Sequence, residues 1–254
     1  MGNWQEIERV LRLSFSLAKA NFKVRNEGSY LGIFWYLLEP LALFVIFLIL
    51  GEVINVDIGY YPLYLFLGLI MFNLFSKATT EAARSISDNA AFIKSSKVPY
   101  EALVISRVFQ FVFSHIFELV VFVVFMIIFN VNFFWIINYS FIFIVFFFFV
   151  LGLAFFLAVV GVYVRDLHNI WRIVIMLLMF LTPIFYFSRE GFLITEINFY
   201  NPLFYFISIA RDFVIYHRGL ELGFFVSSIL FSVFSFFVGL FIFRRYKYKF
   251  AEML

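Results

Sequence analysis

The chain has 254 residues, of which 65% are hydrophobic, 24% aromatic and only 14% charged, with a mean hydropathy of +1.01. A water-soluble core of this size cannot enclose that much apolar surface, so the composition excludes an ordinary soluble protein and leaves room for a single membrane domain, 1–254. The net charge of +3 is too small to suggest nucleic acid, and the absence of cysteine excludes disulfides, thiolate metal sites and cysteine nucleophiles.

In chain order, Trp4, Ile7, Leu11, Phe15, Ala18 and Phe22 recur at steps of three and four, while Arg9, Arg12, Ser16, Lys19 and Lys23 take the other face. This pattern predicts a helix lying in the membrane plane over 1–30, opened by a capping box of Asn3 with Glu6. It reads equally as an inert anchor or as a basic interfacial helix with a direct role. A cleaved signal peptide is not expected, because the charges continue through the segment and no apolar region precedes a small-residue cleavage site.

Roughly 20 residues, each rising about 1.5 Å, cross about 30 Å of hydrocarbon. Six apolar runs meet that length: Ile33 to Gly51, Tyr61 to Ala83, Ala102 to Phe129, Phe133 to Val164, Ile170 to Phe187 and Gly223 to Phe243. The fold class is therefore an all-α membrane protein with six transmembrane helices. The fourth run is too long for a perpendicular crossing and is expected to tilt, bend near Gly152 or Gly161, or project into the cytoplasm.

Basic residues orient the chain, because short cytoplasmic loops retain Lys and Arg. With both termini cytoplasmic, all of the 19 Lys and Arg except Arg189, Arg211 and Arg218 fall inside. A seventh crossing would put the tail "RRYKYK" outside. The stretch Leu203 to Tyr216 is therefore not expected to span, and the Arg211 and Asp212 pair within it argues the same way.

Motifs for nucleotide hydrolysis, serine hydrolysis, zinc proteolysis and dinucleotide binding are all missing. His115 and Glu118 lie one turn apart and read either as a proton relay or metal pair, or as a hydrogen-bonded pair gluing two helices. No metal site is expected, since three histidines are too few donors to support one here. Glu39 precedes Pro40 inside the first span, where the carboxylate lines an aqueous path or makes a helix-packing contact. Trp35, Tyr36, Tyr60, Tyr61, Trp135, Tyr139, Trp171 and Tyr186 sit near span ends and fit interfacial belts. Aromatic faces also suit the apolar faces of sugars.

Four stretches, "FKVRNEGSYLGIFWYLLEPLALFVIFLIL", "FIKSSKVPYEALVISRV", "RDLHNIWRIVIMLLMFLTPIFY" and "NPLFYFISIARDFVIYHRG", resemble in order and spacing the signature regions of the transmembrane subunit of bacterial ABC polysaccharide exporters, which carry O-antigen, capsule or teichoic acid. The resemblance covers nearly the whole chain. It implies a multi-pass protein of the bacterial inner membrane with cytoplasmic termini, paired as a homodimer around a conduit for a lipid-linked polysaccharide. Two copies of a separate ATPase subunit would carry the ATP and magnesium, so that this chain needs no cofactor and is not itself an enzyme.

The resemblance also assigns regions. Residues 84–101 correspond to a cytoplasmic coupling segment in which Phe92, Ile93, Lys94, Lys97 and Pro99 would dock on the ATPase; a solvated basic loop is the alternative. Residues 188–222 correspond to an external gate region of short re-entrant helices, with Pro183, Asn201, Pro202, Tyr205 and Arg211 as gate residues, or to a structural lid. Trp35, Tyr36, Glu39, Tyr163, Trp171 and Tyr186 are conduit candidates, and Arg25 is a candidate for meeting a lipid phosphate at the inner face. An ABC exporter of drugs or small lipids would share the six-span plan. A proton-coupled secondary carrier would instead use His115, Glu118 and Glu39, usually with internal repeats, and none is detected.

Overall fold

The computed structural model describes residues 3–26, 30, 32, 34–53, 55–95, 98–187, 193–219 and 221–253. Among them every regular element is helical, which makes the chain an all-α membrane protein. The helices are α1 (Asn3–Asn26), α2 (Phe34–Val53), α3 (Tyr61–Ala82), α4 (Ala90–Ser95), α5 (Tyr100–Ile128), α6 (Ile136–Tyr163), α7 (Leu167–Leu181), α8 (Leu193–Asn198), α9 (Pro202–Val214), α10 (Leu222–Tyr246) and α11 (Phe250–Met253).

Five of these, α2, α3, α5, α6 and α10, are long and apolar enough to cross a membrane. The run expected as a fifth span from Ile170 to Phe187 is helical only as α7, whose 15 residues rise about 22 Å. The helix stops at Thr182 because Pro183 supplies no N–H and forces the residue before it into extended backbone, ψ 134°. The non-spanning stretch beyond it forms the short helices α8 and α9.

The least hydrophobic span, α3, is the most enclosed. Leu63, Leu65, Phe66, Leu67, Ile70 and Met71 point in every direction around it and are all fully buried. It contacts α2, α5, α6, α7 and α9, so it is the axis of the bundle.

The α6–α10 pair is the longest helix contact. A side chain at Gly152 would collide with the backbone of Ser235 and Phe236, and one at Gly239 with the carbonyl of Gly152. Ser232 and Ser235 donate to the carbonyls of Val145 and Phe149 at 2.8 and 2.9 Å. Small residues thus let the two backbones touch where lipid offers no hydrophobic drive. Helix α6 runs unbroken from Ile136 to Tyr163. Gly161 admits the Ala83 carbonyl just past the end of α3.

Helix α1 divides its residues among three faces. Ser14 and Ala18 are fully buried, and Phe15 and Phe22 meet Phe113 of α5 edge to face at 5.5 and 6.0 Å. The stripe Trp4, Ile7, Leu11 and Phe15 remains exposed. Glu8 and Arg12 pair on the polar side. The Asn3 side chain of the expected capping box lies outside the described residues.

Candidate functional site

Along one side of α3, Asn73, Ser76, Lys77, Thr80 and Glu81 follow helical spacing and stay half-buried. Asn73 donates to the carboxylate of Glu118 on α5. One turn on, the Lys77 ammonium lies 2.6 Å from Glu39 on α2. Another turn on, Glu81 lies 4.0 Å from Arg107 on α5. Ionised groups at the depth of a span are stable only beside partners, protein or water. A cavity of about 170 Å³ opens on this ladder, walled by Phe111 and by Arg172 and Ile175 of α7. Glu39 itself is more than half exposed. The ladder marks a polar seam between α2 and α7.

At one end of the ladder the polar groups close up. His115 Nδ1 is 3.0 Å from Glu118, and Nε2 is 2.6 Å from the Tyr139 hydroxyl on α6. All three side chains are sealed from solvent. With Asn73, they bind α3, α5 and α6 together, which is the gluing role read from the His115–Glu118 spacing. Among the described residues no cluster of His, Asp and Glu is suited to hold a metal ion.

The opposite end from the chain termini contains the break after α7. Backbone without helix needs other donors at membrane depth. Here Leu181 accepts from the Tyr186 hydroxyl and Thr182 from the Ile184 amide. Arg211 of α9, itself buried, donates to Pro183 at 2.6 Å and Ile184 at 2.9 Å. The Tyr61 hydroxyl serves Phe185 at 3.1 Å, and the Tyr64 hydroxyl serves Tyr186 at 2.9 Å. Every carbonyl from Leu181 to Tyr186 is therefore satisfied. The Arg211 guanidinium also stacks 3.3 Å above the Tyr64 ring and fills the space left by Gly68. Burial lowers its pKa from the ordinary arginine value, opposed by neighbouring Tyr64 and Tyr216.

Asn201 caps α9 by accepting from the Leu203 amide and donates to Thr182 at 2.8 Å. Pro202 opens the helix at its first position, where its missing N–H costs nothing. The Tyr205 hydroxyl donates to the Phe199 carbonyl at 2.8 Å. The gate candidates Pro183, Asn201 and Arg211 thus come together with Tyr186, while Pro202 and Tyr205 serve α9 and its approach.

At the end carrying the termini, α4 occupies the expected coupling segment. Ile93 packs on the core, Phe92 and Lys94 are exposed, and Pro99 is the N-cap residue of α5. Lys97 lies outside the described residues. The tail returns to the same place: Lys247 pairs with Glu101 at 2.6 Å, and Phe250 is buried against Tyr100 and Phe243. Between α1 and Val98 runs a groove of about 600 Å³ lined by Glu8, Arg9 and Arg12.

The remaining candidates scatter. Tyr36 is buried against Phe22 of α1, stacked at 5.1 Å, and Trp35 beside it is exposed. Trp171 donates to Thr79 at 2.9 Å, fastening α7 to α3. Tyr163 meets Tyr246 at the ends of α6 and α10. The side chain of Arg25 lies outside the described residues. Glu39 and Trp171 border the polar seam; Tyr36, Tyr163 and Tyr186 do not. The ladder on α3 was not anticipated, although Asn73, Lys77 and Glu81 at intervals of four in an otherwise apolar run already spell it.

A bundle of membrane helices with a polar seam beside its most enclosed span and a sealed break at one end describes a multi-pass membrane protein. Residues 12–215 match the ABC-2 type transporter family, and the chain belongs to that family. It is 28% identical over 247 residues, 94% of this chain and 93% of the relative, to an O-antigen export system permease protein RfbA of Klebsiella pneumoniae, and 27% identical over the same share to a second one from that organism. It is 30% identical to the RfbA of Myxococcus xanthus over 105 residues, 41% of this chain and 40% of that protein. Family membership implies association with an ATP-binding subunit.

Proposed function

We propose that the chain is the permease half of an ATP-driven exporter that threads a lipid-linked O-antigen-type polysaccharide across the bacterial inner membrane. The observation that carries this reading is the polar seam beside α3: its ladder is only half-buried, and Glu39, the partner of Lys77, is more than half exposed at span depth, where a carboxylate requires a watery path or a second protein face beside it. A homodimer supplies both, with the seam between α2 and α7 of each copy lining one conduit. The relatives named for O-antigen export, matched over almost the whole chain, support the cargo.

On this reading both termini are cytoplasmic and two ATPase subunits dock on α4 and its surroundings, Phe92, Ile93, Lys94, Lys97 and Pro99. ATP binding draws the ATPases together, the corners move with them, and the seam widens. The broken segment pinned by Arg211 closes the external mouth at rest. Arg25 meets the lipid phosphate at the inner face, and ATP and magnesium are held by the partner.

The test is reconstitution of the permease with its ATP-binding partner subunit in vesicles loaded with lipid-linked glycan. Glycan should reach the far side only when ATP and both subunits are present. Transport that needs a proton gradient and no ATP would overturn the reading, as would movement of drugs or short lipids with no glycan moved.

A further inference from the structure

A cavity of about 520 Å³ at the end opposite the termini is assigned no role by the path described above. That volume is in the range of small-molecule sites. Its lining combines an aromatic wall and a polar one. Phe199, Phe204 and Phe224 form a cluster of rings, with Phe204 edge to face against each of the others at 5.9 and 5.3 Å. Asp57, Asp212 and Glu221 add carboxylates to the same lining.

Its chemistry narrows the occupant. Arg211 reaches the cavity, with each of its three guanidinium nitrogens on a carbonyl, of Tyr64, Pro183 and Ile184. Arg218 lies 4.0 Å from Asp212 and over the Tyr216 ring. Three carboxylates, Asp57, Asp212 and Glu221, share the lining with these two guanidiniums, which disfavours a phosphate. Among the described residues these acids do not form a metal cluster. A lipid tail would strand the polar wall. An uncharged pyranose fits both walls, because one face of the ring carries C–H groups that lie on aromatic rings and its rim carries hydroxyls that donate to carboxylates.

We propose that this cavity is a saccharide subsite at the external mouth, holding a sugar of the emerging glycan against the Phe199–Phe204–Phe224 wall. It sits beside the sealed break, sharing Pro183 and Arg211 with it. A sugar held there would slow backward slippage of the polymer between power strokes. The proposal rests on the exporter reading and on the orientation that goes with it.

The experiment uses the assembled permease–ATPase complex in nanodiscs and, as probe, the water-soluble glycan released by mild acid from the host's own envelope polysaccharide. Saturation-transfer NMR with aromatic irradiation should pass signal to the sugar C–H protons. Phe224→Ala should abolish that transfer. Asp57→Asn and Glu221→Gln, on exposed chain, should weaken binding about fivefold each, the size of one hydrogen bond. Inorganic phosphate should not compete. Transfer that is absent, or unchanged in all three variants, overturns the subsite, as does competition by phosphate. Because ATP-driven export is measured separately in vesicles, failure of the subsite with export intact leaves the exporter reading standing.

Discussion

Arg211 aims all three guanidinium nitrogens at backbone carbonyls, and that choice fixes what its loss would do. In Arg211→Met the buried Ile184 carbonyl loses its donor and the Pro183 carbonyl keeps only the Tyr64 hydroxyl, 3.3 Å away, at about 1–3 kcal/mol for each donor lost. Purified Arg211→Met should therefore unfold well below the wild-type midpoint in detergent, with new protease cleavage between 182 and 187. Arg211→Lys should recover only part of the loss, because an ammonium lacks the planar fork. An unchanged midpoint for Arg211→Met would mean that water reaches the break. The neighbouring Asp212 behaves oppositely. Burial raises its pKa above the usual 3.8, with Arg218 opposing. The folded state therefore holds that proton more tightly than the unfolded chain does, so the residue favours folding at low pH and loses that contribution as pH rises through its raised value. Asp212→Asn should flatten the pH dependence of the midpoint above about pH 4, by a small amount because the side chain is over a third exposed. A steeper dependence in the variant would refute this. The sequence announced Arg211 and Asp212 as out of place in lipid, but not their partners, since the carbonyls that hold Arg211 belong to residues 27 or more positions away.

Elements were legible where hydropathy alone decides them. The bounds of α2, α3, α5 and α10 follow the apolar runs closely because about 30 Å of hydrocarbon sets their length. The run through Pro183 was harder, since an apolar segment and a helix are different things: lipid accepts the composition, while the proline ends the hydrogen-bond ladder and leaves α7 short. The glycines of α6 are hard to read for a related reason. Alone they read as weak points in one helix, while the folded chain uses them for close approach of other backbone. Gly239→Leu should accordingly cost about 1–3 kcal/mol by overpacking, whereas Ser232→Ala and Ser235→Ala should cost about 0.6 kcal/mol each. Unfolding midpoints of the three variants in one detergent give the order. Serine variants more damaging than the glycine variant would show that hydrogen bonds, not close packing, hold α6 to α10.

At the scale of the whole molecule, function depends on which surface lies against something other than lipid. The outer side of α10, with Leu230, Phe234, Phe237 and Phe241, is apolar and needs only lipid. The α2–α7 side differs: it combines an apolar row on α7, Ile170, Ile173, Leu177 and Phe180, with the exposed Glu39 carboxylate and the ladder of α3. A two-fold axis beside α7 would bring α7 against its own copy and face the two seams toward each other. The chain has no cysteine, so single replacements report cleanly. Met176→Cys, exposed on α7, should form a disulfide-linked dimer in native membranes under mild oxidation, because residues near a two-fold axis approach within about 7 Å between Cα atoms. Val233→Cys, exposed on α10, should remain monomeric under the same conditions. A short bifunctional thiol reagent extends the reach where the geometry of a direct disulfide is poor. Linkage through Val233 with none through Met176 would place the axis on the opposite side, turn the α3 ladder toward lipid, and remove the physical basis for a shared conduit.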